Sequence, residues 1–166
     1  MKSIACVVLT ILVLSAGAAV GQTSTSAYID GNETVKLSVK SPKFNVLVTV
    51  IPRRVNTKDL PGGAGAPGQF PETVVTIRNL RITVNGSPIF VPRSAYVDLI
   101  WVRQAEVSLD GRMPTLTVIG GDASESYVAR IEFDKMAVKR RAVLDPEIPN
   151  KPFQETIYYL RVVEDR

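Results

Sequence analysis

Apolar and polar side chains alternate with a period of two along most of the chain, and this pattern is the strongest constraint on its fold. The stretch 34–40 places Val35, Leu37 and Val39 on one face and polar or charged side chains on the other. Such alternation predicts half-buried β-strands, because successive side chains of a strand point to opposite faces of a sheet. The one stretch compatible with a short helix is 101–107.

Turn signals separate these apolar runs. The strongest is Asn85-Gly86, which predicts a two-residue hairpin turn, and Pro88 and Pro92 predict that the return strand is short or lies at an edge. Short strands with turns about every eight to twelve residues are typical of all-β sandwiches. The sequence therefore predicts an all-β, antiparallel β-sandwich, immunoglobulin-like or related, with about eight to ten short strands and little or no helix.

Several strands have distinctive features. The run 73–84 is expected to be one long strand with a bulge or bend around Asn79. The run 95–102 has apolar residues on both faces around Trp101, and it is expected as a strand within the sheet packing or at a subunit interface. The chain from Gln22 to Ser26 is polar and is expected to be a loose terminus. Further strands are predicted at Phe44–Ile51, Pro114–Ile119, Tyr127–Asp134 and Glu155–Glu164.

The first twenty-one residues have the composition of a secretory leader. Lys2 is followed by an apolar run from Ile4 to Leu14 and then by small residues up to Gly21. This order predicts a cleavable signal peptide over 1–21. The apolar run is shorter than the ~20 residues that a membrane-spanning helix needs, so an integral membrane protein is not expected. The protein is expected to be exported to a periplasm or the extracellular space, and the absence of cysteine after the leader favours a bacterial source.

The rest of the chain, 22–166, has the size of one domain with its own core. It is expected to be a single β-sandwich domain carrying a flexible Gly/Pro-rich loop at about 52–72. Loops of this length are commonly functional or disordered, and the sequence leaves both alternatives open. Phe70 is the aromatic residue of this loop and is a candidate ligand contact.

The chain contains no histidine, and its single cysteine, Cys6, lies within the leader. A Ser-His-Asp triad and a Cys-His dyad are therefore excluded from the mature protein. Zinc, copper and non-haem iron sites depend on imidazole or thiolate ligands, so no cofactor is expected. A pair of carboxylates remains open as a means of glycoside hydrolysis. Its nearest sequence cluster is Asp122, Glu125, Glu132 and Asp134, of which Glu132 and Asp134 are expected on an outer, solvated face.

The formal net charge of the whole chain is +4, and loss of Lys2 with the leader would reduce it to +3. Arg53 and Arg54 are one of the densest basic points, and they are candidates for ligand contact. A nucleic-acid partner is not expected, because such proteins carry broader basic stripes with interleaved aromatic residues.

The segment GGDASES, 120–126, contains Asp122, Ser124 and Ser126 at alternate positions. This is the spacing of a magnesium site in some adhesion domains, but such a site requires an α/β domain with further loops downstream. An EF-hand calcium loop would need glycine where Tyr127 stands. A hairpin connection between two strands is favoured over a metal site, because glycine, aspartate and serine are ordinary turn residues.

The sequence thus predicts an exported binding or accessory protein of the cell envelope with no catalytic activity of its own. Its expected partner is another envelope protein or a glycan, and homo-oligomers are not excluded. The alternatives are a carboxylate-dependent hydrolase of cell-wall glycans and a structural subunit that pairs through its sheet edges. The candidate ligand or interface residues are Trp101, Tyr96, Phe70, Arg53 and Arg54.

Overall fold

A computed structural model describes residues 23–60, 71–109, 112–122 and 125–160. The predicted signal peptide, 1–21, lies outside the described residues. The described parts of the chain form ten strands and two short 3-10 helices at Thr57–Asp59 and Arg93–Ala95. The strands are β1 (Ser24–Tyr28), β2 (Val35–Lys40), β3 (Asn45–Asn56), β4 (Thr73–Val84), β5 (Ser87–Pro88), β6 (Gln104–Ser108), β7 (Thr115–Gly120), β8 (Tyr127–Phe133), β9 (Val138–Leu144) and β10 (Pro152–Ile157).

The strands form two antiparallel sheets that pack against each other. The larger is a 6-stranded sheet in the order β1-β6-β7-β8-β9-β10, and the smaller is a 4-stranded sheet in the order β2-β3-β4-β5. The predicted antiparallel β-sandwich is confirmed. Apart from β1, each sheet is a meander of consecutive strands, so the strand order differs from the interleaved order of immunoglobulin domains.

The core lies between the sheets and follows the predicted alternation. In β2 the side chains of Leu37 and Val39 are buried and their neighbours are exposed, as the period of two requires. The inward side chains of β3 and β8 are buried in the same way, and residues of both sheets belong to one hydrophobic cluster. Full burial of each aliphatic side chain contributes roughly 1.5–3 kcal/mol. The largest fully buried side chain is that of Phe133.

The prediction that the loop begins at Pro52 is wrong, because β3 continues to Asn56. Pro52 is tolerated within the strand for two reasons. The pairing of β3 with β2 ends at Val50, so the missing N–H of Pro52 removes no bond on that side. The β3–β4 register also shifts at this point, which leaves Arg78 as an extra residue and confirms the predicted bulge near Asn79. Residues 61–70 of the predicted loop, with Phe70, lie outside the described residues.

The predicted Asn85-Gly86 turn is confirmed. Both residues have positive φ, 54° for Asn85 and 83° for Gly86, and the turn joins β4 directly to the two-residue strand β5. The Asn85 side-chain oxygen also accepts a hydrogen bond from the Asn45 N–H at 2.8 Å. The turn therefore links β3, β4 and β5 at one end of the smaller sheet.

Both predictions for the ends of the domain need correction. The expected loose terminus is ordered from Ser24 as β1, which pairs along its length with β6. The sequence of β1 has no alternation of apolar and polar residues to predict a strand, because backbone pairing with β6 stabilises it and it has no continuous buried face. The closing strand begins at Pro152, earlier than predicted, and ends at Ile157.

The predicted strand at 95–102 is wrong. The crossover from β5 to β6 forms a 3-10 turn at Arg93–Ala95 and further turns, and it connects the two sheets. Within 95–102 the buried residues are Ala95, Tyr96, Leu99 and Val102, a spacing closer to helical turns than to a strand. Among the described residues, no helix is long and apolar enough to span a membrane.

Candidate functional site

A cleft of about 350 Å³ opens at one end of the sandwich. It is formed where the end of β1, the far end of β3, the start of β4, the crossover before β6 and the residues after β7 come together. Its lining includes the buried apolar residues Ile29, Val74 and Val102. Trp101 and four charged residues also line it: Asp30, Arg54, Arg103 and Asp122. Concave sites with an apolar lining and a few convergent polar groups are typical of ligand-binding sites.

Trp101 has an unusual backbone in this cleft. Its φ is +52°, in the left-handed region that bulky side chains rarely adopt. The backbone on either side is fixed: the Val102 N–H donates to the Val75 carbonyl at 3.0 Å, and the Tyr127 hydroxyl donates to the Ile100 carbonyl at 2.8 Å. Such a conformation costs roughly 1–3 kcal/mol and persists only where the surroundings impose it, most often at functional sites.

The β7–β8 connection supplies part of that support. The Gly121 N–H donates to the Trp101 carbonyl at 3.1 Å. Gly121 has φ +80°, and a Cβ there would overlap the Glu125 backbone. A Cβ on Gly120 would overlap the Tyr127 ring. Burial, and then the nearby charge of Asp98, raise the pKa of Tyr127, so its hydroxyl remains protonated and available as a donor.

The charged side chains fall into two groups. Arg54 is engaged in the structure, since it donates to the Asp30 carbonyl and to the Asn32 side-chain oxygen. The hydrogen bond from the Asn32 N–H, at 2.9 Å, is the main cause that holds the pKa of Asp30 below its usual value. Arg103 and Asp122 are exposed and line the same cleft. No salt bridge within the described parts of the chain involves Arg103.

The predicted ligand residues are dispersed. Trp101 and Arg54 both line the cleft. Arg53 is exposed, and its Nε donates to the Thr76 hydroxyl at 3.3 Å, away from the cleft lining. Tyr96 is only 4% exposed and belongs to the core. Phe70 cannot be placed, since it lies outside the described residues.

The disfavoured metal site is divided between two places. Asp122 lines the Trp101 cleft, Ser126 lines a separate pocket, and Ser124 lies outside the described residues. The Glu125 N–H donates to the Asp122 carbonyl at 2.8 Å, as expected for a turn between β7 and β8. No group of acidic side chains in the described ranges is arranged to hold a metal ion.

Two of the acids considered for hydrolysis are engaged in ion pairs. Glu132 pairs with Arg140 at 2.7 Å, and Asp134 pairs with Lys139 at 3.1 Å. Both carboxylates are partly exposed, in agreement with the predicted outward positions. Asp30 and Arg103 are cleft residues that were not predicted. No local motif places Asp30 near Trp101, whereas Arg103 lies two residues from Trp101 and could have been found by that proximity.

In comparisons with known proteins, no family model, no curated protein and no solved structure matches this chain.

Proposed function

We propose that the protein is an exported, non-catalytic binding module of the cell envelope that holds a glycan in the Trp101 cleft. The observation that carries this proposal is the half-buried Trp101, whose strained backbone is fixed from two sides at the wall of the cleft. A fold that imposes such a conformation on a tryptophan has a reason to position that ring. The leader-like composition of 1–21 supports export.

The lining chemistry favours a sugar. A pyranose ring has an apolar C–H face that packs on an aromatic ring, and hydroxyl groups around its rim that pair with charged side chains. Trp101 offers the aromatic surface, and Arg103 and Asp122 offer an exposed donor and acceptor at the rim. Arg54 is less available, because it already bonds to Asp30 and Asn32.

Binding is favoured over hydrolysis by the carboxylates of the same cleft. A glycosidase needs one carboxyl group whose pKa is raised, so that it can protonate the leaving oxygen. The cleft contains Asp30 and Asp122, and hydrogen bonds from backbone N–H groups lower the pKa of Asp30. An acid that is stabilised in its ionised form is a hydrogen-bond acceptor for a ligand hydroxyl and a poor proton donor.

The test uses Trp101 as its own reporter, since it is the single tryptophan of the chain. Soluble oligosaccharides of N-acetylglucosamine, glucose and galactose are titrated into the protein while tryptophan emission is recorded. We expect a saturable change in emission with one sugar class. Arg103→Ala and Asp122→Asn should each reduce the affinity for that sugar by about tenfold, because each removes one partner of a hydrogen bond to the ligand.

Arg81→Ala is the matched control, because Arg81 is exposed on β4 and lies outside the cleft lining. It should leave the titration unchanged. If none of the sugars alters the emission, or if binding is the same in the Arg103 and Asp122 variants as in the control, the proposed function is wrong.

A further inference from the structure

A second pocket, of about 310 Å³, opens beside β10. We call it the acidic pocket, because its charged lining consists of Asp98, Glu125, Asp145 and Arg141. Three carboxylates thus face one guanidinium in a chain whose overall formal charge is +4. The pocket has the opposite sign to the protein as a whole, and this contrast indicates a cationic occupant.

Arg141 is the unusual member of this lining. It is 3% exposed, its Nη2 donates to Asp98 at 2.9 Å, and its Nη1 donates to the Gln154 side chain at 3.3 Å. Its Nε has no acceptor among the described residues. A buried donor without an acceptor is costly, but the burial of Nε also keeps it out of reach of a ligand. Arg141 therefore acts on the pocket through its positive charge and through its bonds to Asp98 and Gln154.

Two simpler occupants fit less well. A metal ion would need carboxylates that converge on one point, and no acidic group of the described chain is so arranged. An anion would meet three carboxylates, and one arm of the Arg141 guanidinium is already bonded to Asp98. The lining, with three carboxylates and one guanidinium, suits the positively charged side chain of an organic cation.

The strand beside the pocket has a free edge. β10 is the last strand of its sheet, with β9 on one side and no described strand on the other. The Tyr158 N–H donates to the Lys139 carbonyl of the β9 side at 2.9 Å. Because N–H groups alternate in direction along a strand, those of Ile157 and Glu155 face the free edge. Phe153 and Ile157 on this strand are 67% and 48% exposed.

We propose that β10 and the acidic pocket together form a docking site for an extended peptide with a basic side chain. The peptide adds as a strand to the free edge of β10. A lysine or arginine of the peptide enters the pocket between Asp98, Glu125 and Asp145. In such complexes main-chain hydrogen bonds supply affinity and side-chain pockets supply specificity.

The charge of the pocket favours a basic partner over a second copy of this chain. A second copy that paired through its own β10 would bring another acidic pocket and another Glu155 to the same edge. Like charges across an interface disfavour association. This docking site is separate from the Trp101 cleft, so either proposal can fail without the other.

The probes are three fluorescein-labelled heptapeptides of alternating threonine and valine with one central charged residue. The first carries lysine, the second carries glutamate, and the third carries lysine with N-methyl groups on the alternate amides that would face β10. Fluorescence polarisation is measured on the full protein. We expect the first peptide to bind at least about tenfold more tightly than either of the others, and its affinity to fall as salt is added.

A double variant with two isosteric substitutions tests the pocket. Glu125→Gln combined with Asp145→Asn should reduce the affinity for the lysine peptide by about tenfold. Asparagine at 145 keeps the oxygen that accepts from the Glu147 N–H, so the fold is preserved. Glu33→Gln combined with Glu72→Gln, at exposed positions outside the pocket lining, also removes two negative charges and is the charge-matched control, which should have no effect.

Three results would overturn the proposal. The first is equal binding of the lysine and glutamate peptides. The second is an affinity that the Glu125 and Asp145 changes leave intact. The third is failure of all three peptides to bind while the protein elutes as a dimer that Ile157→Pro dissociates, which would make a second copy the occupant of the edge.

Discussion

The backbone N–H of Gly121 donates to the carbonyl of Trp101 at 3.1 Å. This bond joins the β7–β8 connection to the β5–β6 crossover, two segments that are distant in sequence. Gly121, within the segment GGDASES, therefore has a structural role beyond that of a hairpin tip, because its N–H helps to fix the backbone of Trp101 at the cleft.

Gly121→Ala should be strongly destabilising, by roughly 2–5 kcal/mol, because positive φ and a steric overlap with the Glu125 backbone act together. Gly86→Ala is the matched control. Its φ of +83° is similar, but a Cβ there meets nothing within 4 Å, so only about 1–2 kcal/mol of backbone strain is expected. Urea unfolding measures both. Equal losses of stability would show that the packing of Gly121 contributes nothing.

Local sequence signals predicted the parts of the fold that depend on near neighbours. The Asn85-Gly86 turn, the alternation in β2 and the β4 bulge each follow from a few adjacent residues. β1 was missed, because it is held by pairing with β6, far away in sequence. The apolar content of 95–102 predicts a strand, but the spacing of its buried residues fits the turns that the crossover forms.

Trp101→Ala should cost about 2 kcal/mol in unfolding free energy, below the 3–5 kcal/mol of a fully buried aromatic. The ring of Trp101 is half-buried, and the left-handed backbone strain falls only slightly with alanine. Phe133→Ala provides the comparison, since Phe133 is 0% exposed in the core and should cost the full amount. Chemical denaturation followed by circular dichroism distinguishes the two. A Trp101→Ala loss as large as that of Phe133→Ala would place the ring in the core.

The cleft could be predicted only in part. Trp101 and Arg54, both predicted as ligand or interface contacts, line the cleft. Tyr96 was also predicted as such a contact and is a core residue, since the crossover turns its side chain inward. Asp30, Arg103 and Asp122 join the cleft through the ends of three different strands. The proximity of Asp30 and Asp122 to Trp101 is a property of the sandwich topology and leaves no local mark in the sequence, whereas Arg103 is only two residues from Trp101.

Asp134 should stabilise the β8–β9 turn in a pH-dependent manner. Its Oδ1 accepts from the N–H groups of Met136 at 2.7 Å and Ala137 at 2.9 Å, and its other oxygen pairs with Lys139. Desolvation alone would raise the pKa of Asp134, but these hydrogen bonds and Lys139 outweigh it and lower the pKa. The stabilisation is therefore complete above the unfolded pKa of about 3.9 and is lost as the pH falls through the lower folded value.

Asp134→Ala should cost roughly 1–2 kcal/mol at neutral pH, and the difference from wild type should shrink in acid. Asp134→Asn keeps the oxygen acceptor and loses only the charge, so it should cost about 0.5 kcal/mol. Thermal unfolding across pH 2–7 provides the measurement. A pH-independent difference between wild type and Asp134→Ala would mean that the ionised carboxylate has no part in the turn.

Substitution of Asp98 should lower the free energy of unfolding more than substitution of Arg141. Asp98→Ala leaves the Arg141 guanidinium buried without its carboxylate, and breaking such a pair from one side is destabilising. Arg141→Met leaves a carboxylate whose side chain is 50% exposed and can be solvated, while methionine fills the buried space. We expect roughly 1–3 kcal/mol for the first change and less than about 1 kcal/mol for the second.

In the Arg141→Met background, Asp98→Ala should add nothing measurable. Urea denaturation of the two single variants and the double variant completes the cycle. If Arg141→Met proved as destabilising as Asp98→Ala, the ion pair itself would be a net source of stability, and the pocket wall would not tolerate an apolar substitute.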